Sequence, residues 1–181
     1  MDVSIIIVSY NVSQLLKNCL ESIFKFTSGV KFEIIVVDNA STDDSVEMLK
    51  KFQHDNFKLI EAGENGGFSK GNNLGIKQSS GKYILLLNPD TLFLENTLKV
   101  MFSWMESHTD VAVSACQLLD SEQKISPTGG YFPNLFNVAV WTFFLDDLPI
   151  ISKFVKSYHP DMGPFHKNKI IYQKEFFPDW V

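Results

Sequence analysis

The chain is short of cysteine and of positive charge, carries a single proline before residue 126, and has no apolar run long enough to cross a bilayer. Each shortage removes a class of protein. Cys19 and Cys116 lie far apart in apolar surroundings without metal-ligand spacing, so both read as small buried thiols rather than as a bridge or a zinc site. The 16 Lys+Arg against 21 Asp+Glu leave a net charge of −5 and a pI near 5.3, which supplies no diffuse attraction for a polyanion. Nucleic acid is therefore not an expected partner. A phosphorylated ligand would need its charge met locally by a metal, a helix N-terminus or a chosen lysine. The opening run Val3–Val8 is too short for a secretory signal and lacks its basic lead, and Val138–Leu145 falls well below the roughly 20 apolar residues of a membrane span. A cytoplasmic location is expected. Peripheral contact with the inner face of the plasma membrane, and a homodimer, are left open.

What is present is ample core material. The 181 residues are 45% hydrophobic and include 16 phenylalanines, enough for one domain spanning residues 1–181 that folds without disulfides. Val3–Tyr10 is a β-branched run, the pattern of a strand covered on both faces. Leu15, Leu16, Cys19, Leu20, Ile23 and Phe24 then recur at helical spacing. The alternation repeats as a strand at 32–37, a helix at 43–52, a strand at 57–62, a glycine-rich loop at 63–70, a helix at 71–79 and a strand at 82–87. A helix marked by Leu98, Met101, Phe102 and Met105 follows, then a strand at 111–118. This order predicts an α/β fold, a Rossmann-like and mainly parallel sheet with helices on both faces. Six of the seven prolines fall after residue 126, so 126–181 reads as irregular chain over the strand ends. There is no internal repeat and no low-complexity tract.

In open α/β sheets ligands bind beyond the carboxyl ends of the strands. Here those ends are consistently polar: Ser9-Tyr10-Asn11, Asp38-Asn39, Gly63-Glu64-Asn65-Gly66-Gly67 and Asn88-Pro89-Asp90. Asp38 could accept hydrogen bonds from a nucleobase N–H or a ribose hydroxyl, or could simply cap the following turn. Asp43 and Asp44 read as first-turn helix charges. Asp90 could hold a hard divalent cation together with phosphate oxygens and water, or belong to a turn that satisfies its own backbone. Asn65-Gly66-Gly67-Phe68 permits close backbone approach to a ligand, and Lys70 is either a phosphate partner or a solvated lysine.

Taken in order, Val3–Asn11, Val36–Ser45, Glu64–Phe68 with Gly71–Gly75, and Leu85–Thr91 resemble the nucleotide-sugar domain of family 2 inverting glycosyltransferases, and in particular the rhamnosyltransferase-like branch. The resemblance covers roughly the first two thirds of the chain. It implies a GT-A fold, with 1–125 as nucleotide-sugar-binding core and 126–181 as the incomplete start of an acceptor-side region. It also implies a UDP- or dTDP-sugar donor, a saccharide or lipid-linked saccharide acceptor, and a divalent cation, Mn²⁺ or Mg²⁺. Tyr10 and Asp38 match positions around the nucleobase and ribose, Asn65, Lys70 and Asn73 lie in the loop and helix beside the donor, and Ser9, Asn11 and Gly66 are expected among the nucleotide-sugar-binding residues with them. Asn88 and Asp90 take the first and last places of the Asp-x-Asp motif. With Asn in the first place, Asp90 carries the metal assignment.

The chemistry implied is attack of an acceptor hydroxyl on the anomeric carbon with inversion. The family's general base usually lies in an acidic motif downstream of a segment resembling Phe177–Val181, where this chain stops, so the base is expected to be missing from it. Asp146, Asp147 and Asp179 are carboxylates to which no such role is given. The alternative function is therefore a nucleotide-sugar binding fragment that cannot catalyse alone. Phe132, Trp141, Phe143 and Phe144 read as core or subunit packing, or as a cover near a lipid-linked acceptor. His54, His108, His159 and His166 show no metal-ligand pair. A nicotinamide-dinucleotide oxidoreductase is excluded by the first strand-to-helix turn, Ser9–Ser13, which has no glycine.

Overall fold

The computed structural model of the chain describes residues 1–120, 122–126, 139 and 142. The expectations for Phe132, Trp141, Phe143, Phe144, Asp146, Asp147, His159, His166 and Asp179 lie outside the described residues. The chain divides into two compact units, 1–108 and 109–181. In order along the chain stand β1 (Val3–Ser9), α1 (Ser13–Phe26), β2 (Phe32–Asp38), α2 (Ser45–Lys50), β3 (Phe57–Glu61), α3 (Gly67–Lys77), β4 (Tyr83–Leu87), α4 (Thr97–Ser107), β5 (Leu118–Leu119) and β6 (Ile125–Ser126).

The first unit is built on a parallel four-stranded sheet of order β3-β2-β1-β4. Side chains alternate across a strand, so β1 feeds two layers. Ile5 and Ile7, with Ile34 and Val36 of β2, face a layer containing Leu16, Cys19, Leu20 and Ile23 of α1, Leu49 of α2 and Leu98 of α4. These α1 positions repeat at the three- and four-residue spacing of one helical face, while Leu15, counted into that stripe from the sequence, points outward and is half exposed. Ile6, Val8 and Val37 face α3 instead, beneath Gly71 and Gly75. Helices thus flank both faces of the sheet, as the sequence predicts, although Ile84 and Leu86 of β4 stay exposed.

Packing explains where elements depart from their predicted ends. The helix expected at 71–79 runs from Gly67 to Lys77, because Asn65 Oδ1 holds the Gly67 amide and turns the end of the expected loop into the first helical turn; Gly71 and Gly75 within it are packing surfaces, a Cβ on Gly75 standing 2.4 Å from Ile6 Cγ2. Gly67, at φ +78°, makes the left-handed entry to that helix. The helix expected at 43–52 is only Ser45–Lys50, so Asp43 and Asp44 precede it instead of lying in its first turn. The strand expected at 111–118 does not form. Residues 111–117 have no regular structure, and among the described residues Leu118–Leu119 pairs only with Ile125–Ser126, across a turn closed by the Asp120 carboxylate, which accepts from the amides of Glu122 and Lys124. Local turn chemistry supplies that pairing. Both cysteines are free, Cys19 buried and Cys116 half-buried.

Candidate functional site at the carboxyl ends of the strands

Ser9 and Asp38 end their strands side by side in register, and Leu87 closes β4 level with Ile7. Asp38 and the Asn88-Pro89-Asp90 turn therefore stand at the same edge of the sheet, separated by β1. That is two strand spacings, about 10 Å. The backbone ladder runs past this edge, with Asn39 N–H donating to Ser9 O and Ala62 N–H to Asp38 O, so the loops leave from fixed positions.

Asp38 is buried and only half satisfied. Its Oδ2 accepts from Ser41 N–H at 2.9 Å, the turn-capping role, while its Oδ1 has no partner. Ser9 Oγ and Asn39 Oδ1 are also buried without a partner at this edge. Buried oxygens are nearly always hydrogen-bonded, so a cluster of orphans is a place where a ligand's donors would be welcome. Asn39 donates through Nδ2 to Gly67 O at 3.2 Å, which ties the glycine turn at the head of α3 to the end of β2.

The loops after β1 and β2 are sewn together. Asn11, in the left-handed region at φ 55°, accepts on its side-chain oxygen from Thr42 N–H at 2.7 Å and from Asp43 N–H at 3.4 Å, and its own N–H donates to Ser41 Oγ. The Asp43 carboxylate accepts from Ser13 N–H, an acid placed at the positive N-terminus of α1, and from Ser45 N–H. Asn11 thus uses its carboxamide oxygen to shape the site wall, whereas Tyr10 beside it projects outward, half exposed.

In the glycine loop, Asn65 Oδ1 accepts from Gly67 N–H at 3.0 Å and so starts α3. Lys70 is paired with Glu64, and its hydrogen bond holds the Glu64 carboxyl below the ordinary range. Both side chains are exposed, so a stronger anion could draw the lysine away. Asn73 is exposed, while its neighbour Asn72 is buried and donates to Phe68 O.

Asn88 and Asp90 are exposed, and Asp90 makes no hydrogen bond or ion pair among the described residues. Its turn is closed by Thr91 N–H donating to Asn88 O. Beneath it lies Cys19, whose thiol is pushed up to about 12 by burial and then by the charge of Asp90. Among the described residues no three of His, Cys, Asp and Glu gather as a ligand set. One free carboxylate beside an amide fits a hard divalent cation that takes its remaining oxygens from a diphosphate and water. Ser41, Thr42 and Asp43 were not foreseen as braces of the site; their signal was only the polar run after β2, which equally fits a helix cap.

Among the described residues, no helix is long and apolar enough to cross a membrane. A similar protein is an uncharacterized glycosyltransferase of Rickettsia bellii, 34% identical over 74% of this chain and 20% of its own. Staphylococcus aureus TarS, solved in complex with UDP-GlcNAc, is 29% identical with a TM-score of 0.56, covering 60% of this chain and 32% of that one. The mannosyltransferase PcManGT of Pyrobaculum calidifontis, solved with GDP-Man and Mn²⁺, shares the fold at a TM-score of 0.55 and 23% identity, covering 65% of this chain and 35% of that one. The chain thus spans a fifth to about a third of the length of these relatives. Residues 4–152 match the family model described as Glycosyl transferase family 2, and the chain belongs to that family.

Proposed function

We propose that this chain binds a nucleotide-diphosphate sugar and takes part in inverting transfer of the sugar to an acceptor hydroxyl. The observation that carries this is the unpartnered, buried Oδ1 of Asp38 at the same sheet edge as the carboxylate of Asp90, which has no hydrogen bond or ion pair among the described residues. An inward-facing acceptor suits a pyrimidine N–H or a ribose hydroxyl, and half-exposed Tyr10 offers a face for the base. Ser9, Asn11, Asn65, Gly66 and Asn73 line or shape the approach, Lys70 exchanges Glu64 for a phosphate oxygen, and Asn88 with Asp90 faces the diphosphate. The solved complex of TarS with UDP-GlcNAc supports a nucleotide-sugar donor, and UDP- or dTDP-linked hexose, rhamnose included, is the class proposed.

In the reaction, the acceptor oxygen attacks the anomeric carbon from the face opposite the diphosphate, the carbon–oxygen bond to the phosphate breaks, and configuration inverts. The hydroxyl proton passes to a general base that is not among the residues assigned here. A divalent cation, Mn²⁺ or Mg²⁺, held by Asp90 would supply positive charge against the charge that develops on the leaving diphosphate. The acceptor proposed is a saccharide or a lipid-linked saccharide.

Calorimetric titration with UDP, dTDP and GDP, in Mn²⁺ and again in EDTA, tests this. At least one nucleotide is expected to bind in Mn²⁺, with Asp90→Ala weakening binding in Mn²⁺ and leaving the value in EDTA nearly unchanged. Absence of binding by all three under both conditions overturns the proposal.

A further inference from the structure

The segment that carries Asp90 has no regular structure between the end of β4 and the start of α4, so no ladder fixes its amides. It is held along α1 instead. Cys19 Sγ lies 3.9 Å from Asn88 O, Ser22 Oγ accepts from Phe93 N–H at 3.0 Å, and Asn96 exchanges hydrogen bonds with Ser28 just past the helix end. These contacts are three, then six residues apart along the chain from Cys19 to Ser28, so the segment is pinned stepwise. The phenyl ring of Phe93 is buried in the core, while Leu92 and Leu94 on either side are exposed.

Ser22 is the centre of this strap. It sits on the buried face of α1, where alanine would be the better helix former and would bring no polar atom into the core. Its hydroxyl is fully used: it donates to Cys19 O at 2.7 Å and accepts from Phe93 N–H. The latter is a buried amide 71 positions away in sequence that has no ladder partner. Phe93 is three residues from Asp90, a lever of about 10 Å at full extension. Metal coordination tolerates displacements of only about 0.2 Å, so loosening the strap at Phe93 should be felt at the carboxylate.

We infer that Ser22 is a positioning residue for the nucleotide-sugar site: by holding Phe93 N–H it fixes the loop from which Asp90 meets a divalent cation. This rests on the assignment of Asp90 made above. The Ser22 hydroxyl touches no ligand. Its contribution is to keep the carboxylate where a cation bridged to a diphosphate can use it, and it should be silent when no metal is present.

The test is a Mn²⁺ titration followed by electron paramagnetic resonance, in the presence of whichever of UDP, dTDP or GDP the wild-type chain binds. It is run on wild type, Ser22→Ala, Ser22→Thr and Asp90→Ala, with nucleotide affinity in EDTA measured alongside. Ser22→Ala is expected to raise half-saturating Mn²⁺ roughly tenfold or more, the usual effect of losing a group that orients a ligand. Nucleotide affinity in EDTA should stay within about twofold, and Ser22→Thr, which keeps the hydroxyl, should restore most of the loss. A further arm needs no variant. Linkage is reciprocal, so Mn²⁺ and nucleotide together must slow hydrogen exchange at the Phe93 amide of the wild type by a similar factor. If Asp90→Ala weakens Mn²⁺ binding while Ser22→Ala does not, or if Phe93 exchange is unchanged by loading, Ser22 is a packing residue only and the inference is overturned. If Asp90→Ala itself leaves Mn²⁺ half-saturation unchanged, the metal assignment fails and the inference fails with it.

Discussion

Gly75→Ala is a sharp test of how α3 is seated on the sheet. The added Cβ would stand 2.4 Å from Ile6 Cγ2, 3.3 Å from Ile6 Cδ1 and 3.4 Å from Val37 Cγ2. Carbon atoms in contact ordinarily lie about 3.5–4.0 Å apart, so the first of these is more than about 1 Å too close. Ile6 cannot yield easily: it is fully buried, lies in register between Ile35 and Leu86, and is β-branched and stiff. Overpacking of this kind costs about 1–3 kcal/mol, while alanine in place of glycine gains about 1 kcal/mol of helix propensity. The net expectation is a loss of about 0–2 kcal/mol, each kcal/mol lowering Tm by about 2–4 °C.

The decisive form of that experiment is a double-mutant cycle with Ile6→Ala, measured by urea denaturation. Ile6→Ala alone should cost about 2–5 kcal/mol. In that background Cγ2 and Cδ1 are gone, so Gly75→Ala should stabilise by about 1 kcal/mol, giving a coupling of about 1–3 kcal/mol. A stabilising Gly75→Ala in the wild type, or additive substitutions, would show that the helix does not sit on Ile6. The functional consequence lies at the other end of the same helix. Lifting α3 draws Gly67 O away from Asn39 Nδ2, so Gly75→Ala should also weaken nucleotide binding.

Three other substitutions probe charge. Burial pushes the Glu33 carboxyl up, but hydrogen bonds from Ser4 and Ser80, with Lys58 nearby, outweigh it and hold the group below its ordinary value. A folded pKa below the unfolded one stabilises above the unfolded value and loses that stabilisation as pH falls through the folded one. The stability gap between wild type and Glu33→Gln should thus be full at pH 7 and close as pH drops from about 5 to about 3; a gap independent of pH would contradict it. Because Lys70 is held by exposed Glu64 in the free chain, Lys70→Met should weaken binding of the nucleotide diphosphate and Glu64→Gln should strengthen it, with both effects shrinking as salt rises. Equal affinities for all three chains in calorimetry would remove Lys70 from the site.

The sheet was legible because β1 and β2 are buried on both faces and their apolar runs show it, with each strand ending one residue from the expected Tyr10 and Val37. The carboxyl-end edge followed from the order of strands and helices, which forces the loops to one side. Other features were not legible, each for a physical reason. Whether Val111–Leu118 becomes a strand depends on an edge to pair with, which its own composition does not encode. The early start of α3 at Gly67 rests on the Asn65 side chain accepting from the Gly67 amide, in a glycine-rich stretch that reads as loop. The division of labour at Asp38, one oxygen capping Ser41 and the other unpartnered, arises from burial by distant elements, as does the link from Ser22 to Phe93. Ala40, at φ 61° without being glycine, likewise has no local signal.

An amide nitrogen–proton correlation spectrum of the chain, titrated with Mg²⁺ and the nucleotide diphosphate it binds, reports whether the four loops serve one ligand. Shifts are predicted at Ser9–Asn11, Asp38–Ser41, Gly66–Lys70 and Asn88–Thr91, which the fold brings to one edge, and not at Glu33, Ser80 and Gly81 at the opposite end of the strands. Shifts confined to that opposite end, or spread without reference to either, would contradict the account.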